Sequence, residues 1–296
     1  MTGKLISLFL TLCLTLSCAA FAEGDTSVTV TDMLNRQITL PAPAARIVAL
    51  TAADCEILYA LGAGETLVGR GAYCNYPAEA ESVPVVQSGS QTNIEEIIAL
   101  EPELVLMSSM DQTEEQVAQL EAAGIRVVLS NADTIADTYE SIAIIGAVTG
   151  RNEEAAALIE DMQTTFASIA AETSGKTIYF EVSPLEYGLW TAGPGSFMDE
   201  IAAICGLTNI FPDVKDWSEV SEEQVLSRNP DYIITVSMYS GEGATPVEEI
   251  MGRTGWQDVS AVRSGQVYQA DNDMFTRPGP RLAEAALTLY HMVYGE

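Results

Sequence analysis

One stretch of this chain occurs twice, and nothing else in the sequence constrains the fold as strongly. Residues Asn93 to Leu106 (NIEEIIALEPELVL) are echoed by Ser221 to Ile234 (SEEQVLSRNPDYII), 128 residues further on and without a gap. Asn93 and Ser221 are N-cap residue types, able to accept from an unpaired N–H at a helix start. Glu95, Glu96, Glu222 and Glu223 fall in the first turn, where the helix dipole favours anions. Pro102 and Pro230 end each helix, and a β-prone apolar run follows. A helix–Pro–strand unit duplicated in this way predicts an α/β protein of two similar, Rossmann-like lobes.

The rest of the chain fits two such lobes. Val28–Val30 and Gln37–Leu40 predict an opening hairpin. Strands are expected over Arg46–Leu50, Thr66–Gly71, Glu103–Met107 and Ile125–Leu129. They alternate with helices over Ala53–Leu61, Asn93–Leu100, Glu114–Ala123 and Thr134–Val148. Strict alternation implies a largely parallel sheet. From Arg151 to about Thr173 one helical pattern continues unbroken, with Ala155, Leu158, Ile159, Met162, Phe166 and Ile169 on one face. It would span about 33 Å at 1.5 Å per residue. This yields a signal segment 1–22, an N-terminal lobe 23–149, a connecting helix 150–174 and a C-terminal lobe 175–296. The second lobe is expected to hold strands over Lys176–Val182, Tyr232–Val236 and Gln266–Ala270. Its helices are expected over Phe197–Cys205, Val247–Arg253 and Arg281–Tyr294, with Asp271–Pro280 as a loop.

The N-terminus reads as a targeting segment, Lys4 followed by the apolar run Leu5–Leu16 and then small residues. Two processing routes stay open. Ala20-Phe21-Ala22 fits cleavage before Glu23, while Leu16-Ser17-Cys18 approximates a lipoprotein box with Thr15 in place of the usual Leu, giving a lipidated Cys18. The protein is therefore expected outside the cytoplasm, in a periplasm or anchored at a cell surface. The formal charge is −29, which excludes a phosphate-neutralising nucleic-acid surface and disfavours anionic lipid. Cys55, Cys74 and Cys205 are odd in number and read as buried free thiols rather than a disulfide scaffold.

Ligands of open α/β sheets bind beyond the carboxyl ends of the strands, so the expected site is a cleft between the lobes. Residues placed there by sequence position are Tyr73, Trp190, Trp217, Tyr239, Phe275 and Arg277. Such a set, aromatic and poor in charge, suits a large, flat, mostly neutral ligand. Arg277 and Arg281 would clasp an acidic ligand group or pair with carboxylates of the protein; the sequence leaves both open. His291 is the only histidine, and no nucleophile elbow, phosphate loop or metal-ligand spacing accompanies it. No metal, cofactor or catalytic residue is assigned, and an enzyme is not expected. An extracellular adhesion or scaffold protein would explain export and acidity but not the duplicated unit.

Several motifs together resemble the substrate-binding proteins of the ABC importers for cobalamin and iron complexes. They are Arg46–Leu50 with Glu56–Gly62, the Tyr73–Pro77 loop, Asn93–Leu106, Val220–Leu226 and Pro280-Arg281. The resemblance covers about residues 28–294 and lies nearest the periplasmic cobalamin-binding members. It implies two α/β lobes joined by one long helix, a corrinoid ligand, and an ABC permease as partner. A ferric siderophore or haem is the implied alternative ligand. It further implies that Tyr73, Trp217 and Phe275 contact the ligand. Glu95 and Glu223, one at each lobe tip, are implied to dock onto permease arginines, with the protein a monomer. The chain departs from the pattern at Ser88-Gly89-Ser90, where the cobalamin-binding members carry a tryptophan, and at Cys74 within the tyrosine loop.

Overall fold

The computed structural model describes residues 26–89, 91–108, 113–169, 174–238, 241 and 243–295. The chain opens with an antiparallel hairpin, β1 (Val28–Thr31) and β2 (Gln37–Leu40), in register Val28 to Leu40. Then come β3 (Ile47–Ala49), α1 (Ala52–Ala60), β4 (Leu67–Arg70), α2 (Ile94–Ala99), β5 (Leu104–Met107), α3 (Glu114–Ala122), β6 (Arg126–Leu129) and α4 (Ile135–Thr149). The strands form a parallel sheet in the order β4-β3-β5-β6. All four residues of β5 are buried, as expected of a strand with helices on both faces.

Helix α5 (Asn152–Ser168) leaves this lobe. It is shorter than the Arg151–Thr173 pattern, because Ile169 departs from helical geometry with ψ 77°. Ala155, Met162 and Phe166 are its buried face, packed on α4 and on the last helix of the chain. The approach to α4 is close: a Cβ at Gly146 would lie 2.5 Å from that of Ala155, so only glycine fits there.

The second lobe runs β7 (Thr177–Glu181), β8 (Leu189–Ala192), α6 (Phe197–Ile204), β9 (Thr208–Asn209), β10 (Trp217–Val220), α7 (Glu222–Arg228) and β11 (Tyr232–Thr235). It continues with α8 (Pro246–Gly252), α9 (Ser260–Ser264), β12 (Val267–Gln269), α10 (Asn272–Thr276) and α11 (Leu282–Tyr294). Its parallel sheet has the order β12-β11-β7-β9. Two features depart from the sequence reading. The segments around Trp190 and Trp217 pair as an antiparallel ribbon, β8 with β10, Trp217 opposite Ala192. The expected loop Asp271–Pro280 contains α10, capped by Asp271, whose side chain accepts from Met274 N at 2.8 Å.

The lobes share one apolar core. It runs from Ile47 and Leu106 through Ile142, Met162 and Phe180 to Leu282 and Leu289. Each fully buried aliphatic of this size stabilises by about 1.5–3 kcal/mol. Outer faces of the two sheets have separate clusters, around Val105 and Leu120 in one lobe and Phe211 and Trp256 in the other. Polar links also cross between lobes. Glu200 of α6 accepts from Ile135 N at the start of α4 (2.6 Å), and Asp133 O accepts from Phe197 N (2.7 Å). Glu56 of α1 accepts from both Arg277 and Arg281.

Candidate functional site

An open cavity of about 410 Å³ lies between the lobes, past the carboxyl ends of β3 and β6. The first lobe gives it Leu50, Thr51, Asp54, Tyr73, Ser130 and Asp133, and the second gives Thr276, Arg277 and Pro278. A larger hollow of about 710 Å³ lies against α1, α5 and α11, lined by Tyr59, Tyr76, Met162, Arg281 and Leu287. No strand ends in it. The smaller cavity is therefore the candidate site, where strand ends and loops of both lobes converge.

Its floor is polar. Asp54, in the first turn of α1, is buried, and both carboxylate oxygens are occupied. Thr51 Oγ1 donates to Oδ2 at 2.5 Å, and Ser130 Oγ lies 2.7 and 2.9 Å from the two oxygens. Burial pushes the Asp54 carboxyl up to about 6, against the pull of the Thr51 and Ser130 hydrogen bonds. Asp133, in the cavity lining, is also raised, by burial and then by the Asp216 and Asp137 carboxylates. Cys74 donates to the carbonyls of Ala49 (3.6 Å) and Thr51 (3.3 Å), and its contact with Cys55, together with burial, raises its thiol pKa strongly. All three described cysteines are free and buried.

A family model described as periplasmic binding protein matches residues 47–274. The chain belongs to the periplasmic binding protein family. It is 33% identical, over 90% of its length and 85% of the relative's, to an uncharacterised ABC transporter substrate-binding lipoprotein of Bacillus subtilis. It is 32% identical to the vitamin B12-binding protein of Salmonella typhimurium, over 85% of this chain and 92% of that one. Among solved structures, the periplasmic vitamin B12-binding protein of Vibrio cholerae superposes with TM-score 0.66 at 25% identity, over 85% of this chain and 97% of that one. A Staphylococcus epidermidis structure described as a possible iron-binding periplasmic solute-binding protein gives TM-score 0.71 at 28% identity, with 85% and 99% covered.

In this periplasmic binding protein the residues expected from sequence fall into four groups. Tyr73, 75% exposed, and Arg277 line the cleft. Arg277 is already engaged, by Glu56 (3.0 Å), Asp273 (2.7 Å) and the Asn75 side chain (2.8 Å). Arg281 is held by Glu56 in turn and lies over the Tyr76 ring, 4.1 Å from its centroid. Trp190 and Trp217 stand on the β8–β10 ribbon, and neither lines the cavity. Trp190 is exposed, and Trp217 is half-buried, edge-on to Phe197 at 5.4 Å. The ribbon is seated by Gly193, where a Cβ would fall 1.7 Å from Val214 O. Phe275 must be corrected. Formation of α10 turns it inward, and it is fully buried in the shared core rather than open to a ligand. Tyr239 and Cys18 lie outside the described residues.

The duplicated unit keeps its symmetry. Asn93 caps α2 by accepting from Glu96 N, and Ser221 and Gln224 form a reciprocal box at α7. One glutamate of each pair is used internally. Glu96 accepts from Gln87 N at 3.3 Å, and Glu222 from the Trp256 indole at 2.8 Å. Glu95, Glu96 and Glu223 are exposed and Glu222 is half-buried, and of the four only Glu95 and Glu223 correspond across the 128-residue repeat.

Asp54, Ser130 and Asp133 were not singled out by sequence reasoning. A signal existed for Asp54: it shares a helix face with Ile57, Leu58 and Leu61, so its carboxylate had to be buried.

Proposed function

We propose that the protein is the solute-binding component of an ABC importer, capturing a corrinoid in the cleft and handing it to the permease. It acts as a carrier, not a catalyst, outside the cytoplasm. The observation that carries the transport role is the exposed pair Glu95 and Glu223. They occupy equivalent places in the two lobes, 128 residues apart, whereas Glu96 corresponds to Gln224 and Glu222 to Ile94, and Glu222 is half-buried against the Trp256 indole. One acidic knob per lobe suits a two-fold partner. Support for the corrinoid comes from vitamin B12-binding relatives spanning most of the chain, from the exposed Tyr73 in the cleft lining, and from Trp190 and Trp217, which are exposed and half-buried on the second lobe's ribbon. Among the described residues no helix is long and apolar enough to cross a membrane.

A ferric siderophore or haem is the second reading, favoured by the likeness to the Staphylococcus epidermidis structure. The engagement of Arg277 and Arg281 by Glu56 weighs against an anionic chelate.

Titration of the purified protein with cyanocobalamin, by calorimetry and tryptophan fluorescence, separates the two. Saturable one-to-one binding is expected, weakened about tenfold or more by Trp217→Ala, since burying a large apolar side chain contributes on the order of 1–3 kcal/mol. Binding of a ferric chelate or haem with no response to the corrinoid would move the assignment to the second reading.

A further inference from the structure

The floor of the cleft has a fixed hydrogen-bond polarity. A carboxylate only accepts, whereas a hydroxyl carries one proton and two lone pairs. With Asp54 ionised, Thr51 and Ser130 both turn their protons onto it, at 2.5 Å and 2.7–2.9 Å. Thr51 Oγ1 uses a lone pair for Asp54 N (3.2 Å). What Ser130, half-buried on the cavity wall, can offer an occupant is therefore acceptor capacity.

The charges nearest this part of the floor are acidic. No cation is among the causes that set the Asp54 proton affinity. Arg277, on the facing wall, directs three of its five N–H donors to Glu56, Asp273 and Asn75. Asp133 lies on the same side as Ser130, next to Asp216, which Lys215 pairs at 3.2 Å. The Cys74 thiol is kept neutral, and the Ser141 hydroxyl is 3.1 Å from Met33 Sδ. A carboxylate arriving against Ser130 and Thr51 would face lone pairs backed by the Asp54 charge. An amide N–H would find acceptors.

We propose that Asp54, acting through Ser130 and Thr51, makes the cleft floor an acceptor surface that selects a ligand edged with primary amides and rejects one edged with carboxylates. Asp54 is thus a positioning residue for ligand selectivity, a role that rests on the cleft being the ligand site as proposed above. Protonation reverses one of its contacts. The Asp54 O–H then donates to a hydroxyl, whose own proton is released toward the cleft, so selectivity relaxes as the pH falls through about 6.

The test compares cyanocobalamin with its monocarboxylic acid isomers, each having one peripheral amide hydrolysed, by calorimetry at pH 5.5 and 7.5. At pH 7.5 at least one isomer is expected to bind about tenfold more weakly than the parent, the scale of one mispaired buried polar group. That gap should narrow several-fold at pH 5.5. Asp54→Asn should make it independent of pH, and Ser130→Ala should shrink it toward unity at both values. Should Asp54→Asn fail to fold, Ser130→Ala decides. Equal affinities across all isomers in the wild type, or a pH-dependent gap that persists in the variants, overturns the proposal. If cyanocobalamin itself does not bind, the corrinoid reading fails separately. The floor is then judged on a neutral ferric trihydroxamate against ferric citrate, with the hydroxamate preferred and a citrate preference overturning the role of Asp54.

Discussion

Asp54 shows how a single residue couples ligand recognition to stability. Its folded-state value of about 6 lies above the ordinary 3.8, so folding favours its protonated form. The sign follows from linkage: that stabilisation is complete below pH 3.8 and is lost as the pH rises through 6. At 1.36 kcal/mol per unit the loss is at most about 3 kcal/mol. Urea unfolding of wild type and Asp54→Asn at pH 4 and pH 8 measures it. The wild type should lose stability relative to the variant as the pH is raised, and a constant difference would show that Asp54 titrates normally. Elsewhere burial of charge is resolved by pairing. Glu181, at the end of β7, binds Arg253 through both oxygens at 2.7 and 2.9 Å, with both side chains almost fully buried. The Arg253 guanidinium also meets Glu249 and lies over Trp256, 4.6 Å from its centroid.

At the scale of the element, helix starts follow local chemistry closely. Thr113, Thr134, Ser221 and Thr245 all form reciprocal boxes with the residue three places on. Such patterns are legible because both partners lie within one turn. Ser221→Ala should destabilise the second lobe by about 1 kcal/mol, read as a lower urea midpoint with an unchanged slope; no change in midpoint would mean that tertiary packing alone holds α7. Elements that depend on distant partners were not legible. The β8–β10 ribbon joins Leu189–Ala192 to Trp217–Val220 across an intervening helix and strand. The Asp271–Pro280 segment is too short for a helical period to register, and its Asp271 cap alone did not distinguish a helix from a turn.

At the scale of the molecule, two lobes share a core and are braced by polar contacts. Glu56 ties α1 to the loop between α10 and α11, and Glu200 caps α4 from α6. A shared core leaves room for a slight hinge movement rather than a wide opening. Capture and delivery, as proposed, engage different surfaces. Glu95 and Glu223 are at the first turns of α2 and α7, and neither residue lines the cleft. Replacing both with alanine should abolish uptake of labelled ligand by cells while the calorimetric affinity of the purified protein stays within about twofold, as for exposed charges that make no ligand contact. A loss of affinity in that double variant would sink the division of labour.

The sequence by itself determined the two-lobed α/β architecture, the core strands and the places of the paired glutamates. Caps, prolines and apolar runs act over a few residues, and a duplicated unit carries that local information into the global plan. It also brought Tyr73 to the end of β4, because strand direction fixes which loops meet in a cleft. Tertiary structure alone decided which of these groups remain available. Phe275 was taken into the core when α10 formed, and Arg277 and Arg281 were taken by Glu56, more than 200 residues away in the chain. It also set Ser130 against Asp54 from 76 residues away. A side chain's remaining hydrogen-bond capacity depends on every neighbour that folding brings to it, and those neighbours come from segments whose spacing carries no local signature.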